Sequence, residues 1–303
     1  MLGRMPPVHE HGDEVEEAIE VARRLTGREI TNVSALAGGE INAVYRVRTT
    51  VDDLVVRWVR GTRASWHPDL AGEVAAMRLA SDAGVPCPRV VFHDDTHLVA
   101  EYVAGNAMTE PQAADGLARV AGRLYGRLHA QQGHGCGPVQ ADGSDPGWSP
   151  DVLTRDVPRE AGEVLARARD LPPGLDPHDV ATAAELVGHL ALPSRSRLVH
   201  GDASRTNTLV RDGSIVAILD FEVAWFADPA IDFAWWWWSS PATAADFHRG
   251  CEEASEATDE RQLWVHRLRL LIGLAHSFAF VNPQRGTRIG RLLTFALTQT
   301  ARL

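Results

Sequence analysis

The stretch His200-Gly201-Asp202-Ala203-Ser204-Arg205-Thr206-Asn207, followed after a short hairpin by Asp220, decides how the chain is read. Asp212-Gly213 is a two-residue hairpin signal, and it joins residues 208–211 to 214–219, which are apolar and β-branched. If Arg211 pairs with Ser214, the register sets Asn207 opposite Ile218, with Asp220 just beyond at the same open end. Two oxygen ligands for one divalent cation then meet, and Mg2+ favours a few protein oxygens plus substrate phosphates. Asp202 lies one short loop before Asn207, where a carboxylate can accept or orient a hydroxyl proton. This is a constellation suited to phosphoryl transfer. The competing reading is an Asx-turn with a helix cap.

The bulk properties narrow the partners. At 303 residues the chain is long enough for one large domain or two lobes sharing a cleft. A net charge of −10 argues against a broad nucleic-acid surface, which needs clustered positive charge. The chain has no lysine, so all 30 basic residues are arginine and any cationic phosphate contact falls to Arg or His. Cys87, Cys136 and Cys251 are odd in number and widely spaced, which speaks against a disulfide framework or a zinc site and fits a reducing cytoplasm. The start turns acidic too soon for a signal peptide. The apolar run 270–281 is too short to span a bilayer and reads as a core helix.

Along the chain, Val15, Ala18, Ile19, Ala22 and Leu25 recur at helical spacing before Gly27. Strands are expected at 30–37, 43–48, 54–60, 89–93 and 96–103, with a helix over 68–83 carrying Leu70, Val74 and Met77 inward. Past Gly105 the pattern turns helical: 111–132, then a Gly/Pro/Asp-rich loop over 133–150, then 151–191 and a series of helices after Asp220. The fold class read from this order is α+β, with a small sheet-rich N-lobe over 1–103 and a larger helical C-lobe over 104–303.

His200-Gly201-Asp202, Asn207, Asp220, Asp228-Pro229 and Asp232 together resemble the signature of the aminoglycoside phosphotransferase family, a branch of the protein-kinase-like fold. Ala227 stands where that family usually has Gly. The resemblance implies that Asp232 braces the catalytic loop and that His200 is a packed, hydrogen-bonded support. It also asks for four parts in the first lobe. Gly38-Gly39, with Glu40-Ile41-Asn42 after it, would let backbone amides approach a nucleoside triphosphate. On the third strand Arg57 shares a face with Val55 and Val59 and takes the place of the kinase lysine as the phosphate-pairing cation. Glu73 on the next helix is its expected partner, while Asp69 reads as a first-turn residue favouring the helix dipole. Residues 97–103 resemble the linking strand, with purine contacts expected from the backbone of Glu101 and Val103.

On the acceptor side, the interval from Asp220 to Asp232 leaves no room for an activation segment, so a small molecule is expected rather than a protein. Asp142, Asp145, Asp151, Asp156, Glu160, Glu163, Glu252, Glu253 and Glu256 are read either as an ordinary solvated face or as holders of an amino sugar. Arg205 either neutralises the transferred phosphoryl group or is a solvated loop residue. Trp235 to Trp238, with Phe278 and Phe280, hint at an acceptor with apolar surface, such as a macrolide. The expected activity is transfer of the γ-phosphate of ATP or GTP, with Mg2+, to a hydroxyl of a small molecule, an antibiotic of the aminoglycoside or macrolide type, with resistance as the consequence. The alternatives are a metabolic kinase acting on a sugar, amino alcohol or amino acid, and a nucleotide-binding module without turnover. Neither nucleic acid nor membrane is an expected partner, and the oligomeric state stays open.

Overall fold

The computed structural model describes residues 11–36, 42–59, 67–189, 196–255 and 258–303, without the side chains of 11–14. Gly38, Gly39, Arg60 and Glu256 lie outside the described residues. Helix α1 (His11–Thr26) ends at Gly27, whose φ of 65° and N–H bond to the Arg23 carbonyl form the glycine stop that the sequence predicts. Strands β1 (Ile30–Ala35), β2 (Ala43–Thr49) and β3 (Asp53–Trp58), helix α2 (Leu70–Asp82), and strands β4 (Val90–His93) and β5 (His97–Glu101) follow. The five strands form one antiparallel sheet in the order β1-β2-β3-β5-β4. Alternation sends Tyr45, Val47, Leu54, Val56 and Val99 to one face, where Ala18, Val21 and Ala22 of α1 close a small core. Arg57, on the alternate set, reaches α2 on the other face.

Asp69 is the N-cap of α2. Its carboxylate accepts from Gly72 N at 2.7 Å, so it does more than favour the helix dipole. Gly72 is required there because a Cβ would come within 2.1 Å of the Val139 carbonyl oxygen.

The first helical stretch of the C-terminal part is interrupted. After β6 (Asn106–Ala107) comes α3 (Glu110–Gln112), opened by a Thr109/Gln112 capping box. A π-helical turn at Ala113–Leu117 then leads into α4 (Ala118–His129). Gly116 at φ 97° breaks what the sequence predicts as one helix over 111–132. Next are β7 (Gly137–Pro138), α5 (Val157–Leu165), α6 (Pro177–Gly188), β8 (Arg197–Val199), β9 (Thr208–Arg211), β10 (Ser214–Ile218) and β11 (Trp225–Ala227). The chain closes with α7 (Ala230–Ser239), α8 (Ala244–Glu252), α9 (Glu260–Phe278) and α10 (Pro283–Thr300). Two small sheets, β10-β9-β6 and β7-β11-β8, hold the central loops together. Strands of two or three residues carry no period, which is why β6, β7 and β11 escape a reading by pattern.

The architecture is therefore α+β, with a sheet-rich N-terminal region and a helical C-terminal part. The main core runs from Val74 and Met77 of α2 through Leu98 and Ala100 into α4, α7, α9 and α10. Trp236 stacks on Phe247 with centroids 4.3 Å apart, and Tyr125 meets both edge-on. Trp237 is also buried, so the tryptophan run divides between this packing and the half-buried Trp235 and Trp238. Among the described residues no helix is long and apolar enough to cross a membrane. Residues 270–278 lie within the core helix α9.

Candidate active site

Asp212 (φ 50°) and Gly213 (φ 74°) both adopt left-handed backbone, the geometry of a type I′ hairpin turn. Arg211 pairs with Ser214, as expected, but the register shifts between Ile215 and Ala217. Thr208 thus faces Ile218, and the Asn207 carbonyl accepts from Leu219 N at 2.8 Å. The expected pairing of Asn207 with Ile218 is off by one because Val216 is absorbed in a bulge. The bulge draws Asp220 one residue nearer to Asn207 along the ladder. Asp220 itself is left-handed (φ 66°), turning the chain away from the strand.

The loop before the hairpin hangs on Asp232. His200 N and Gly201 N donate to its two carboxylate oxygens at 3.0 and 2.8 Å, and His129 Nε2 reaches Oδ2 at 2.9 Å. Asp232 and His200 are both fully buried. His200 Nε2 sits 2.8 Å from the Leu219 carbonyl, which can only accept, so Nε2 carries the proton and Nδ1 receives Asp202 N–H at 3.2 Å. Gly201 permits this turn, since a Cβ would meet the Val223 carbonyl oxygen at 2.1 Å.

Asn207 Nδ2 donates to Asp202 Oδ2 at 2.9 Å and to the Asp202 carbonyl at 3.1 Å. That commits the amide nitrogen and leaves Oδ1 as the atom free to meet a cation. From the opposite side, Arg57 Nη2 donates to Glu73 Oε2 while Nη1 lies 3.6 Å from Asp220 Oδ1. Glu73 is 1% exposed. The structure thus brings Arg57, Glu73, Asp202, Asn207 and Asp220 together at one place.

Two carboxylates there are shifted upward. Burial, then the neighbouring Glu222 carboxylate, raise Asp220 to about 7 in spite of Arg57. Burial also raises Asp202, opposed by His200 and the Asn207 hydrogen bond. Burial works against the Arg57 charge, yet Glu73, helped by Asp220 and Glu222, holds the guanidinium above its usual range. Asp220 Oδ1 is closed to solvent with no hydrogen-bond partner among the described residues, although 39% of the side-chain surface is exposed. A carboxylate oxygen without a hydrogen bond, one ladder position from a residue with a spare amide oxygen, supplies the hard oxygen donors that Mg2+ takes.

Other expectations fare differently. Asn42 Nδ2 donates to Glu222 Oε2 at 3.0 Å, and its buried Oδ1 has no hydrogen-bond partner among the described residues. Glu222 is the site residue that sequence reasoning missed; its signal was a second carboxylate two residues past Asp220. The side chain of Glu101 pairs with Arg89 at the surface, and Glu101 N donates to the Arg89 carbonyl at 2.9 Å. Val103 N–H has no acceptor among the described residues. Arg205 is not a solvated loop residue: its Nε lies 2.7 Å from Glu110 Oε2, and Nη1 donates to the Met108 carbonyl at 2.9 Å.

Most of the acidic residues considered for an amino sugar are committed within the chain. Asp142 accepts from Ser144, and Asp145 from His134 N and Gly147 N. Glu163 binds Arg159 and His276, Glu253 binds Arg119 and Arg123, Asp156 and Glu160 lie 3.9 and 3.8 Å from Arg159, and Glu252 lies 3.5 Å from His248. Phe278 and Phe280 lie beneath Arg285 and Arg167 rather than forming an open apolar wall.

Comparison with known proteins places this arrangement. The pattern of the phosphotransferase enzyme family matches residues 32–264. A protein assigned as a ketoamine kinase in Staphylococcus aureus is 31% identical over 109 residues, which is 35% of this chain and about a third (34%) of that relative. Among solved structures, aminoglycoside phosphotransferase APH(4)-Ia with AMP-PNP and hygromycin B superposes with a TM-score of 0.71 at 18% identity, covering 94% of this chain and 98% of that one. A protein assigned as a fructosamine-3-kinase from Thermobifida fusca gives 0.68 at 19% identity over 93% and 99% of the two chains. The macrolide 2′-phosphotransferase of Brachybacterium faecium gives 0.60 at 18% identity over 93% and 98%. At these identities the structures speak for the fold alone, which is the two-part protein-kinase-like one that the resemblance implies. The family pattern, however, runs from β1 through the Asp202–Asp232 region into α9, and so the chain belongs to the phosphotransferase enzyme family.

Proposed function

We propose that the protein transfers the γ-phosphate of a nucleoside triphosphate, with ATP as the first donor to test, to a hydroxyl of a small molecule. The observation that carries this is the convergence of Asp202, Asn207 and Asp220 on one loop and hairpin, facing the Arg57–Glu73 pair. In this reading Arg57, set by Glu73, forks onto the α- and β-phosphates. Asn207 Oδ1 and Asp220 hold Mg2+, which when bound offsets the charge of the transferred phosphate. Asp202 orients the acceptor hydroxyl and takes its proton; the raised affinity of its carboxylate for a proton suits that step. His200 and Asp232 keep the loop in place. The backbone of Glu101 and Val103 meets the purine edge, and Gly38 and Gly39 lie over the phosphates. Residues 1–103 bind nucleotide and 104–303 the acceptor. Three free cysteines, two of them buried, agree with a reducing cytoplasm.

The test is a transfer screen over hydroxylated antibiotics, sugars, ketoamines and amino alcohols with MgATP, read by mass shift. An Asp202→Ala variant should lose about 100- to 10,000-fold in kcat while still binding nucleotide. Unchanged ATP turnover in that variant would sink the reading. An antibiotic hydroxyl, with resistance as its consequence, is the first acceptor class proposed. A ketoamine or another metabolite is the second, favoured by the 31% identity to the Staphylococcus aureus relative.

A further inference from the structure

The C-terminal end of α7 gathers charge beside the loop that carries Asp202. Arg205 N donates to Ser239 Oγ at 3.2 Å, and Ser240 Oγ donates to Glu110 Oε1 at 2.5 Å. Glu110 Oε2 holds Arg205 Nε at 2.7 Å. From α10, Arg288 lays its guanidinium over the Trp238 ring, 4.1 Å from the centroid, and donates to the Trp238 carbonyl. Trp238, Ser239 and Ser240 are consecutive, so both arginines meet at one place. Arg205 is three residues from Asp202, which bounds their Cα atoms to within about 11 Å.

The charges do not cancel. Glu110 serves Arg205, and among the described residues Arg288 forms no ion pair. Burial, then Arg205 and Arg285, depress the Arg288 guanidinium, while Glu110 only partly opposes them. A half-buried cation repelled by two others and supported on a tryptophan face is poised for an incoming anion. A polycation would meet like charge here, since the nearby carboxylate is already taken.

From this geometry we infer that the acceptor carries an oxyanion, a carboxylate or a phosphate ester, which Arg288 receives beside Arg205 while Asp202 faces the hydroxyl. The inference rests on the phosphotransferase reading above and, of its two acceptor classes, favours the metabolite over a cationic antibiotic. It makes Arg288 a specificity-determining residue, and a charge-assisted fork there is worth about 10- to 100-fold in acceptor affinity.

The experiment uses the full chain with MgATP and matched acceptor pairs. Gluconate is set against glucose and glycerate against glycerol for the carboxylate, and fructose 6-phosphate against fructose for the phosphate ester. Fructosyl-glycine is compared with its amide, and hygromycin B and kanamycin represent cationic acceptors. The expected result is at least tenfold higher kcat/KM for the anionic member of a pair. Arg288→Gln should raise the KM of that member by about 10- to 100-fold, leaving its neutral mate and the KM for ATP unmoved. Arg288→Lys, which keeps the charge, should recover part of the loss. Equal use of both members, preference for the cationic antibiotics, or transfer to no anionic member would overturn the inference. So would an Arg288→Gln loss shared equally by both members of a pair, the mark of a purely structural role. ATP turnover that survives Asp202→Ala would instead overturn the phosphotransferase reading beneath it.

Discussion

At the scale of single residues, two demands meet on Asp220. Its carboxyl is raised to about 7 by burial and by Glu222, while the metal-binding role proposed for it requires it ionised. In the metal-free protein the folded state binds this proton more tightly than the unfolded chain, whose Asp titrates near about 3.9. The stability it contributes is therefore full below that value and is lost as pH rises through about 7. Melting of the metal-free protein from pH 4 to 8 should show this decline, and Asp220→Asn should flatten it. Mg2+ should restore stability at the high end, and its apparent affinity should weaken as pH falls through about 7. A metal affinity independent of pH over that interval would contradict the assignment of Asp220 as a ligand. The Arg57–Glu73 pair carries a second prediction. Glu73→Ala leaves a buried guanidinium whose remaining ion pair among the described residues is the Asp220 contact at 3.6 Å, and urea unfolding should register a loss of about 3 kcal/mol.

At the scale of elements, α4 and α8 cross so closely that glycine is compulsory at the contact. A Cβ at Gly122 would lie 2.1 Å from the Phe247 carbonyl oxygen, and one at Gly250 would lie 2.1 Å from that of Arg119. Glycine to alanine within a helix ordinarily gains about 1 kcal/mol. Here the obstacle is backbone, which no rotamer change relieves, and forcing the helices apart costs about 3 kcal/mol. Gly122→Ala and Gly250→Ala should thus lower the denaturation midpoint instead of raising it. The hairpin shows how far local signals carry. Asp212-Gly213 announced its turn because left-handed backbone has few residue choices, and the Arg211–Ser214 pair followed. The bulge at Val216 was not legible, since apolar alternation reads the same whether or not one residue is set aside. The interruption of the 111–132 helix at Gly116 was missed for a related reason: an isolated glycine in a helical pattern is tolerated as often as it breaks one.

At the scale of the whole molecule, the sheet-rich region does not keep its apolar surface to itself. Val74, Met77, Leu98 and Ala100 belong to the same buried cluster as α4, α7, α9 and α10. Of the nine tryptophans, Trp148, Trp225, Trp235, Trp236, Trp237, Trp238 and Trp264 lie beyond residue 104 and report on the helical part. Val74→Ala, about 2 kcal/mol by the methyl groups lost, should shift the tryptophan fluorescence and the far-ultraviolet circular dichroism transitions together. Two separated transitions, with only the dichroism moved, would show that the regions unfold independently.

The sequence by itself determined the α+β order of elements, the hairpin, and the residue types at Asp202, Asn207, Asp220, Arg57 and Glu73. These are written in local terms: turn residues, two- and three-to-four-residue periods, and a motif held within a few dozen positions. Only the tertiary structure decided the rest. It engaged Asn42 with Glu222, committed most of the candidate acceptor-binding carboxylates to partners within the chain, and set Arg205 and Arg288 at the end of α7. Those outcomes depend on contacts between segments up to 180 residues apart. No local pattern encodes which charges will find a partner there and which will be left for a ligand.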